Sequence, residues 1–269
     1  MKPTRSHGRV AVAATAKPRE LIQERPQLQG AWAATVLTLY PEMFPGTLGH
    51  SLIGKALDQG LWSLNTINIR DHAHDRHRTV DDTPAGGGPG MVLKPDILAR
   101  ALAAVPRSGP RSGPILYLSP RGRPFTQAMA HDLAAAPGAT LLCGRFEGVD
   151  QRVLDAHDIT EVSLGDFVLT GGEIAAQALI DATVRLIPRV LGNTESSADE
   201  SFSNGLLEYP QYTRPTDWDG LQIPDILLSG HHGRIAAWRQ AQSEALTKER
   251  RPDLWRAYLA TRDGTDPER

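Results

Sequence analysis

Short aliphatic runs recur along this chain, each parted from the next by a segment with helical spacing, and that alternation constrains the fold more than any other feature. "ATVLTLY" (34–40), "LNTINI" (64–69), "PILYLSP" (114–120) and "ATLLCG" (139–144) are strand-like. Between and after them, "SLIGKALDQG" (51–60), "KPDILARALAAV" (94–105) and "PFTQAMAHDLAAAP" (124–137) have the apolar spacing of helices. Strands separated by helices must be joined by crossovers, which makes the sheet mainly parallel and the class α/β.

Three of the aliphatic runs end the same way, in a turn of Ser, Gly or Pro: "YLSPRG" (117–122), "CGRFEGVD" (143–150) and "SLGDFVLTGGE" (163–173). In open α/β sheets ligands bind beyond the carboxyl ends of strands, so three such endings predict one shared pocket. The last ending runs on into "IAAQALIDATVRLIP", a helix-like continuation. A glycine turn opening a helix is how chains cradle anions, yet no lysine stands at this one to meet a phosphate. None of the three carries G-x-G-x-x-G, which argues against a dinucleotide.

The 269 residues suffice for one medium domain and a smaller one, and 40% hydrophobic with 22% charged residues is ordinary for a globular protein. A net charge of -2 gives no global signature of a nucleic-acid binder, so such a partner has to meet a local patch. The single cysteine, Cys143, excludes an intramolecular disulfide framework, fits a reducing compartment and reads as a small buried hydrophobe. No run of about eighteen apolar residues is present to span a membrane. Residues 1–30 mix basic, acidic and proline residues around a short "VAVAATA" and read as a disordered extension or as the product of a start codon placed too far upstream. The periodic pattern dissolves at 192–212 into "GNTESSADESFSNGLLEYPQY", a linker candidate. Beyond it, Ile235, Trp238, Ala241 or Gln242, and Ala245 fall at helical spacing. Between 231 and 262 there are seven Lys/Arg against three Asp/Glu, whereas 189–228 holds two against seven. A small helical domain with a basic surface, or simply a solvated helix face, is predicted there.

Other stretches carry weaker signals. "GHSLIGKA" (49–56) nearly matches the nucleotide-triphosphate loop, but Ala56 stands where a hydroxyl must reach magnesium, and the stretch reads better as the start of an amphipathic helix. "RDHAHDRHRTVDD" (70–82) holds His72, His74 and His77 among aspartates and arginines. Those spacings fit no standard zinc pattern; Arg76 and Arg78 suit a phosphate- or RNA-facing loop, or a polar loop held by its own ion pairs. "TPAGGGPGM" (83–91) would let backbone amides approach a ligand closely.

In order along the chain, "YPEMFPG", "HDRHRTVDDTPAGGGPGM", "YLSPRG", "CGRFEGVDQRV", "GDFVLTGGE", "LIPRVLGN", "ESFSNGLLEYPQYTRP" and "LLSGHH" resemble the bacterial tRNA (guanine-N1)-methyltransferase family, TrmD, over about residues 32–260. The resemblance implies a SPOUT-class α/β fold with a mainly parallel sheet and a deep trefoil knot, an expectation no periodicity supplies. It divides the chain into an extension (1–30), a knotted methyltransferase domain (31–191), a flexible linker carrying a catalytic carboxylate (192–213) and a helical tRNA-binding domain (214–269). It implies S-adenosylmethionine as methyl donor, which has no phosphate and so needs no lysine. The donor's loops are expected at Tyr117, Leu118, Ser119 and Pro120; at Gly144 and Glu147; and at Leu164, Gly165, Asp166, Phe167, Val168, Leu169, Gly171 and Gly172.

The family's reaction, at N1 of guanosine 37 beside the anticodon, needs a general base on N1 and a cation for the charge growing on O6. By matching motif these fall on Glu200, with Asp199 beside it as the alternative base, and on Arg185, which would otherwise be a surface i,i+4 partner of Asp181. A homodimer whose two subunits complete each site, a magnesium ion held partly by substrate and a cytoplasmic setting with neither DNA nor membrane as partner belong to the same implication. Ala85, Phe146 and Ala175 depart from residues frequent in the family. A related knotted enzyme acting on a ribose hydroxyl or another base, or a non-catalytic RNA binder, remains open on sequence alone.

Overall fold

The computed structural model describes residues 30–106, 113–191 and 200–262; the extension before residue 30 and Asp199 lie outside them. In chain order the elements are β1 (Trp32–Thr38), α1 (Ser51–Asp58), β2 (Trp62–Asn68), β3 (Asp81–Asp82), β4 (Val92–Leu93), α2 (Pro95–Ala103), β5 (Ile115–Pro124), α3 (Gln127–Ala135), β6 (Gly138–Cys143), α4 (Gln151–Ala156), β7 (Thr160–Ser163), α5 (Glu173–Val184), β8 (Asp217–Trp218), β9 (Leu221–Gln222), α6 (Asp225–Leu228), α7 (His232–Arg250) and α8 (Pro252–Arg262).

Five strands form one sheet in the order β2-β1-β6-β5-β7, with every pairing parallel. Every residue of β6 is buried, as expected of a central parallel strand covered on both faces. Side-chain alternation divides the core in two. Trp32, Ala34 and Val36 of β1 join Leu116, Leu118, Leu141 and Cys143 on one face, under α1, α3 and α5. Leu37, Tyr117 and Leu142 point to the other face, under α2 and α4. Two buried indoles pin helices to the sheet: Trp32 Nε1 donates to Leu133 O at 2.8 Å and Trp62 Nε1 to Ile53 O at 3.0 Å. The alternation in the sequence thus becomes a sheet sandwiched between helices, a mixed α/β architecture.

β5 is interrupted where the first pocket motif lies. Leu116–Leu118 pair with Thr160–Val162, and the register then shifts so that Arg123 and Pro124 pair with Val162 and Ser163. Residues 119–122 are thereby looped out at the strand's end. α7 differs from the sequence reading in one respect. Ala241 and Ala245 are exposed and Gln242 is half-buried, while the buried positions are Ser243 and Thr247, two residues on from each alanine. The reason is polar: Thr247 Oγ1 donates to Ser243 O at 2.7 Å and accepts from Leu207 N at 2.8 Å, tying α7 to the turn after residue 200. Apolar periodicity does not register a helix whose inward face is hydroxylic.

Candidate active site

The carboxyl ends of β5, β6 and β7 open into one cleft of about 370 Å³, within the range of small-molecule sites. Thirteen of the fourteen residues expected to hold the donor line it: Tyr117, Leu118, Ser119, Pro120, Gly144, Glu147, Leu164, Gly165, Phe167, Val168, Leu169, Gly171 and Gly172. Asp166 does not line it; its side chain is exposed. The loops are held by short-range bonds. Ser163 Oγ accepts from Gly165 N at 3.2 Å and donates to Gly165 O at 3.1 Å, folding the third loop back on its strand. Gly172 N donates to Gly144 O at 3.0 Å, joining the second and third loops across the cleft floor. Both glycines are sterically required. A Cβ on Gly172 would stand 2.8 Å from Cys143 Cα, and one on Gly144 would stand 2.8 Å from the Tyr117 ring. The glycine-rich stretch reaches the rim through Glu147 N, which donates to Met91 O at 2.9 Å.

Beneath the glycine turn lies a cluster that the sequence reading left without a role. Glu173, the first residue of α5, is 1% exposed. Thr38 Oγ1 donates to its Oε1 at 2.7 Å and Arg145 Nε to the same oxygen at 3.2 Å. Arg145 Nη2 stands 2.9 Å from Oε2, an ionic contact outside hydrogen-bond geometry. The Arg145 guanidinium also lies 4.5 Å over the Tyr40 ring and donates to Thr170 O at 3.3 Å. The signal was present: an acidic residue directly after Gly171-Gly172 opens the helix, where a carboxylate is favoured by the dipole. Burial, with the Glu173 charge as a lesser cause, pushes the Cys143 thiol well above its ordinary value. The Tyr117 phenol is likewise raised by burial.

The arginines of the cleft are neutralised within the chain. Arg121 pairs with Glu161 at 3.1 Å and Arg145 with Glu173. A cleft whose cations are already paired suits a ligand without phosphates, and Leu118, Leu164 and Leu169 give it apolar walls.

Arg185 caps the far end of α5 and meets Glu200 in a two-pronged ion pair, Nη1 to Oε2 at 2.7 Å and Nη2 to Oε1 at 2.6 Å. Each side chain is less than a third exposed. No Asp181–Arg185 side-chain ion pair forms; Asp181 contributes only its distant charge. The Arg185 bonds hold the Glu200 carboxyl below the ordinary glutamate value, and the pair raises Arg185 in turn. The turn bearing Glu200 is fixed by Ser203 N donating to Glu200 O at 3.2 Å, Phe202 N to Leu206 O at 2.8 Å and Glu208 N to Ser201 Oγ at 2.9 Å.

Elsewhere, "RDHAHDRHRTVDD" is held by its own pairs: Arg78 Nη1 meets Asp71 at 3.2 Å, and Asp75 accepts from the backbone and hydroxyl of Thr79 at 2.8 Å each. Among the described residues no group of three or more His, Cys, Asp or Glu side chains converges as a metal site, and no helix is long and apolar enough to cross a membrane.

Comparison with known proteins matches residues 33–257 to the family described as tRNA (Guanine-1)-methyltransferase TrmD. A protein of Cereibacter sphaeroides named tRNA (guanine-N(1)-)-methyltransferase is 70% identical over 244 residues, covering 90% of this chain and 98% of that one. Similar proteins of the same name come from Ruegeria pomeroyi, 61% identical over 238 residues (88% and 98% covered), and Rhodopseudomonas palustris, 66% over 229 residues (85% and 92% covered).

Proposed function

The chain belongs to the tRNA (guanine-N1)-methyltransferase family TrmD, and on that premise we propose that it methylates N1 of guanosine 37 of tRNA from S-adenosylmethionine, with Glu200 as general base and Arg185 stabilising O6. The observation that carries the assignment of roles is the two-pronged Arg185–Glu200 pair, formed by the two residues that the chemistry calls for.

Guanine N1 bears a proton and has no free lone pair in the ring plane, so it cannot attack a methyl group until that proton leaves. Glu200 takes the proton; as it does, its negative charge disappears and a new one develops on O6. Arg185 is the group that follows this transfer, because its planar fork can keep one nitrogen on Glu200 and offer another to O6. In the resting state Arg185 holds Glu200 below the ordinary carboxyl range, which makes it a weak base. Sharing the fork with O6 loosens that hold as substrate arrives, which raises the basicity of Glu200 when it is needed. When bound, the donor supplies an electrophilic methyl on sulfonium sulfur; the N1 lone pair forms the new C–N bond and the S–C bond electrons return to sulfur. Tyr117, the Gly144–Glu147 turn and the 164–172 loop would hold the donor.

α5 supports a homodimer. Its twelve residues separate Gly172 and Arg185, at opposite ends, by about 20 Å. That separation supports the reading that a second copy brings its Arg185–Glu200 pair to the cleft. Exposed Phe167, Val168 and Ile174 beside the cleft supply apolar surface for that contact. The deep SPOUT knot belongs to the same proposal. It is supported by membership of the family. The basic residues after 231 would grip the tRNA in the cytoplasm.

The test is incubation with unmethylated tRNA and labelled donor, followed by mass spectrometry of nucleosides. N1-methylguanosine should form and vanish when guanosine 37 is replaced. Glu200→Gln should slow single turnover by about 10²–10⁴-fold with donor affinity retained; a Glu200→Gln enzyme as fast as the parent would remove Glu200 from the mechanism.

A further inference from the structure

Next to the Arg185–Glu200 pair is a cavity of about 220 Å³ lined by Glu200, Asn204, Tyr209, Arg239 and Ser243. Arg239 also walls an adjoining cavity of about 280 Å³ with Tyr212 and Trp238. Among the described residues Arg239 makes no ion pair, and its buried Nε has no hydrogen-bond partner. Its one strong contact is with the Tyr209 ring, whose centre lies 4.7 Å from the guanidinium carbon. The neighbouring charges are cancelled: Arg185 and Glu200 neutralise each other, and Glu244 is met by Gln240, Tyr258 and Arg262. A half-buried guanidinium that meets no anion among the described residues is costly to keep. What it lacks among them is a negatively charged oxygen.

We propose that Arg239 binds a backbone phosphate flanking the nucleoside whose base reaches Glu200. The inference rests on the proposed role of Glu200, since placing guanine N1 within hydrogen-bond reach of that carboxylate brings the flanking phosphates past the same cavity. A phosphate supplies the missing charge and matches the fork of the guanidinium. Stacked against Tyr209, the fork is held in one orientation, so the contact fixes where the nucleotide sits as well as how tightly. Arg185 cannot serve in its place, because its fork is engaged by Glu200 and O6.

The experiment measures tRNA binding at a series of salt concentrations for the full-length protein and its Arg239→Gln, Arg239→Lys and Glu200→Gln variants. Arg239→Gln should weaken binding about tenfold or more and reduce the slope of log Kd against log salt by about 1. Arg239→Lys should restore the slope with part of the affinity, and Glu200→Gln, which frees Arg185, should not lower the slope. A merely structural role would not move the slope. As a check that does not depend on a variant folding, a neutral methylphosphonate at the flanking position of the RNA should weaken binding to the parent protein and add nothing in Arg239→Gln. An unchanged slope, or a loss confined to one flanking base, overturns the phosphate contact. Failure of the parent protein to form N1-methylguanosine, with the slope effect intact, would sink the functional reading and spare the contact.

Discussion

The buried Arg145–Glu173 pair yields the sharpest stability prediction. Glu173 has 1% of its side chain exposed and receives two hydrogen bonds on one oxygen, from Thr38 and Arg145, and an ionic contact on the other. Replacing Arg145 with alanine strands a carboxylate where water cannot reach it, a loss of about 3–5 kcal/mol. Glu173→Gln removes the charge but keeps an oxygen for Thr38. It leaves Arg145, at 18% exposed, its Tyr40 contact and its bond to Thr170 O, so the loss should be smaller, about 1–3 kcal/mol. In the double variant the stranded charge no longer exists, so the combined loss should fall short of additivity by about 0.5–3 kcal/mol. Urea unfolding at one fixed protein concentration measures all four proteins, and equal slopes against denaturant certify that the unfolded states are alike. If Glu173→Gln is as damaging as Arg145→Ala, or if the two losses add, the carboxylate is not the buried charge described here. Because Gly171 and Gly172 immediately precede Glu173, donor affinity should fall in parallel with stability.

The cleft floor gives a second prediction: Gly172→Ala forces a Cβ against Cys143 Cα at 2.8 Å, and isothermal titration with the donor should show a loss of about 1–3 kcal/mol in affinity. Cys143 is buried with its thiol held well above the ordinary value; a thiol reagent should therefore label it only after denaturation, and rapid labelling of the native protein would contradict the core described here. The Arg185–Glu200 pair makes stability depend on pH with a definite sign. The folded Glu200 carboxyl lies below its ordinary value of 4.5, so the stabilisation is complete above the unfolded value and is lost as pH falls through the folded one. The stability gap between the parent and Glu200→Gln should shrink between about pH 6 and pH 3; a gap that widens on acidification would show that the ion pair is not what separates the two proteins.

The strands of the α/β core were legible because parallel strands covered on both faces are rich in apolar residues, as β6, β1 and the first half of β5 (115–118) are. The cleft was legible too, since residues at the ends of three strands in one sheet have few places to go but a common rim. What the sequence could not display are contacts set by three-dimensional closure. Arg145 and Thr38 lie 28 and 135 residues from Glu173, and no local pattern relates them. The two-residue strands β3 and β4 hold too little apolar alternation to be seen. On α7 the inward face is carried by Ser243 and Thr247, whose hydroxyls are buried by the bonds they make, and those bonds depend on a turn forty residues upstream. Arg185 illustrates both sides: its i,i+4 relation to Asp181 was visible along the helix, while its actual partner, Glu200, lies fifteen residues further along the chain. A local ion pair would have quenched the arginine on the helix surface. The non-local pair instead joins the end of the cleft's own helix to the turn before α7, so that a shift of either element changes how firmly Glu200 is held. The basicity of the proposed base is thereby tied to the position of the helix that begins at the glycine turn proposed for the donor.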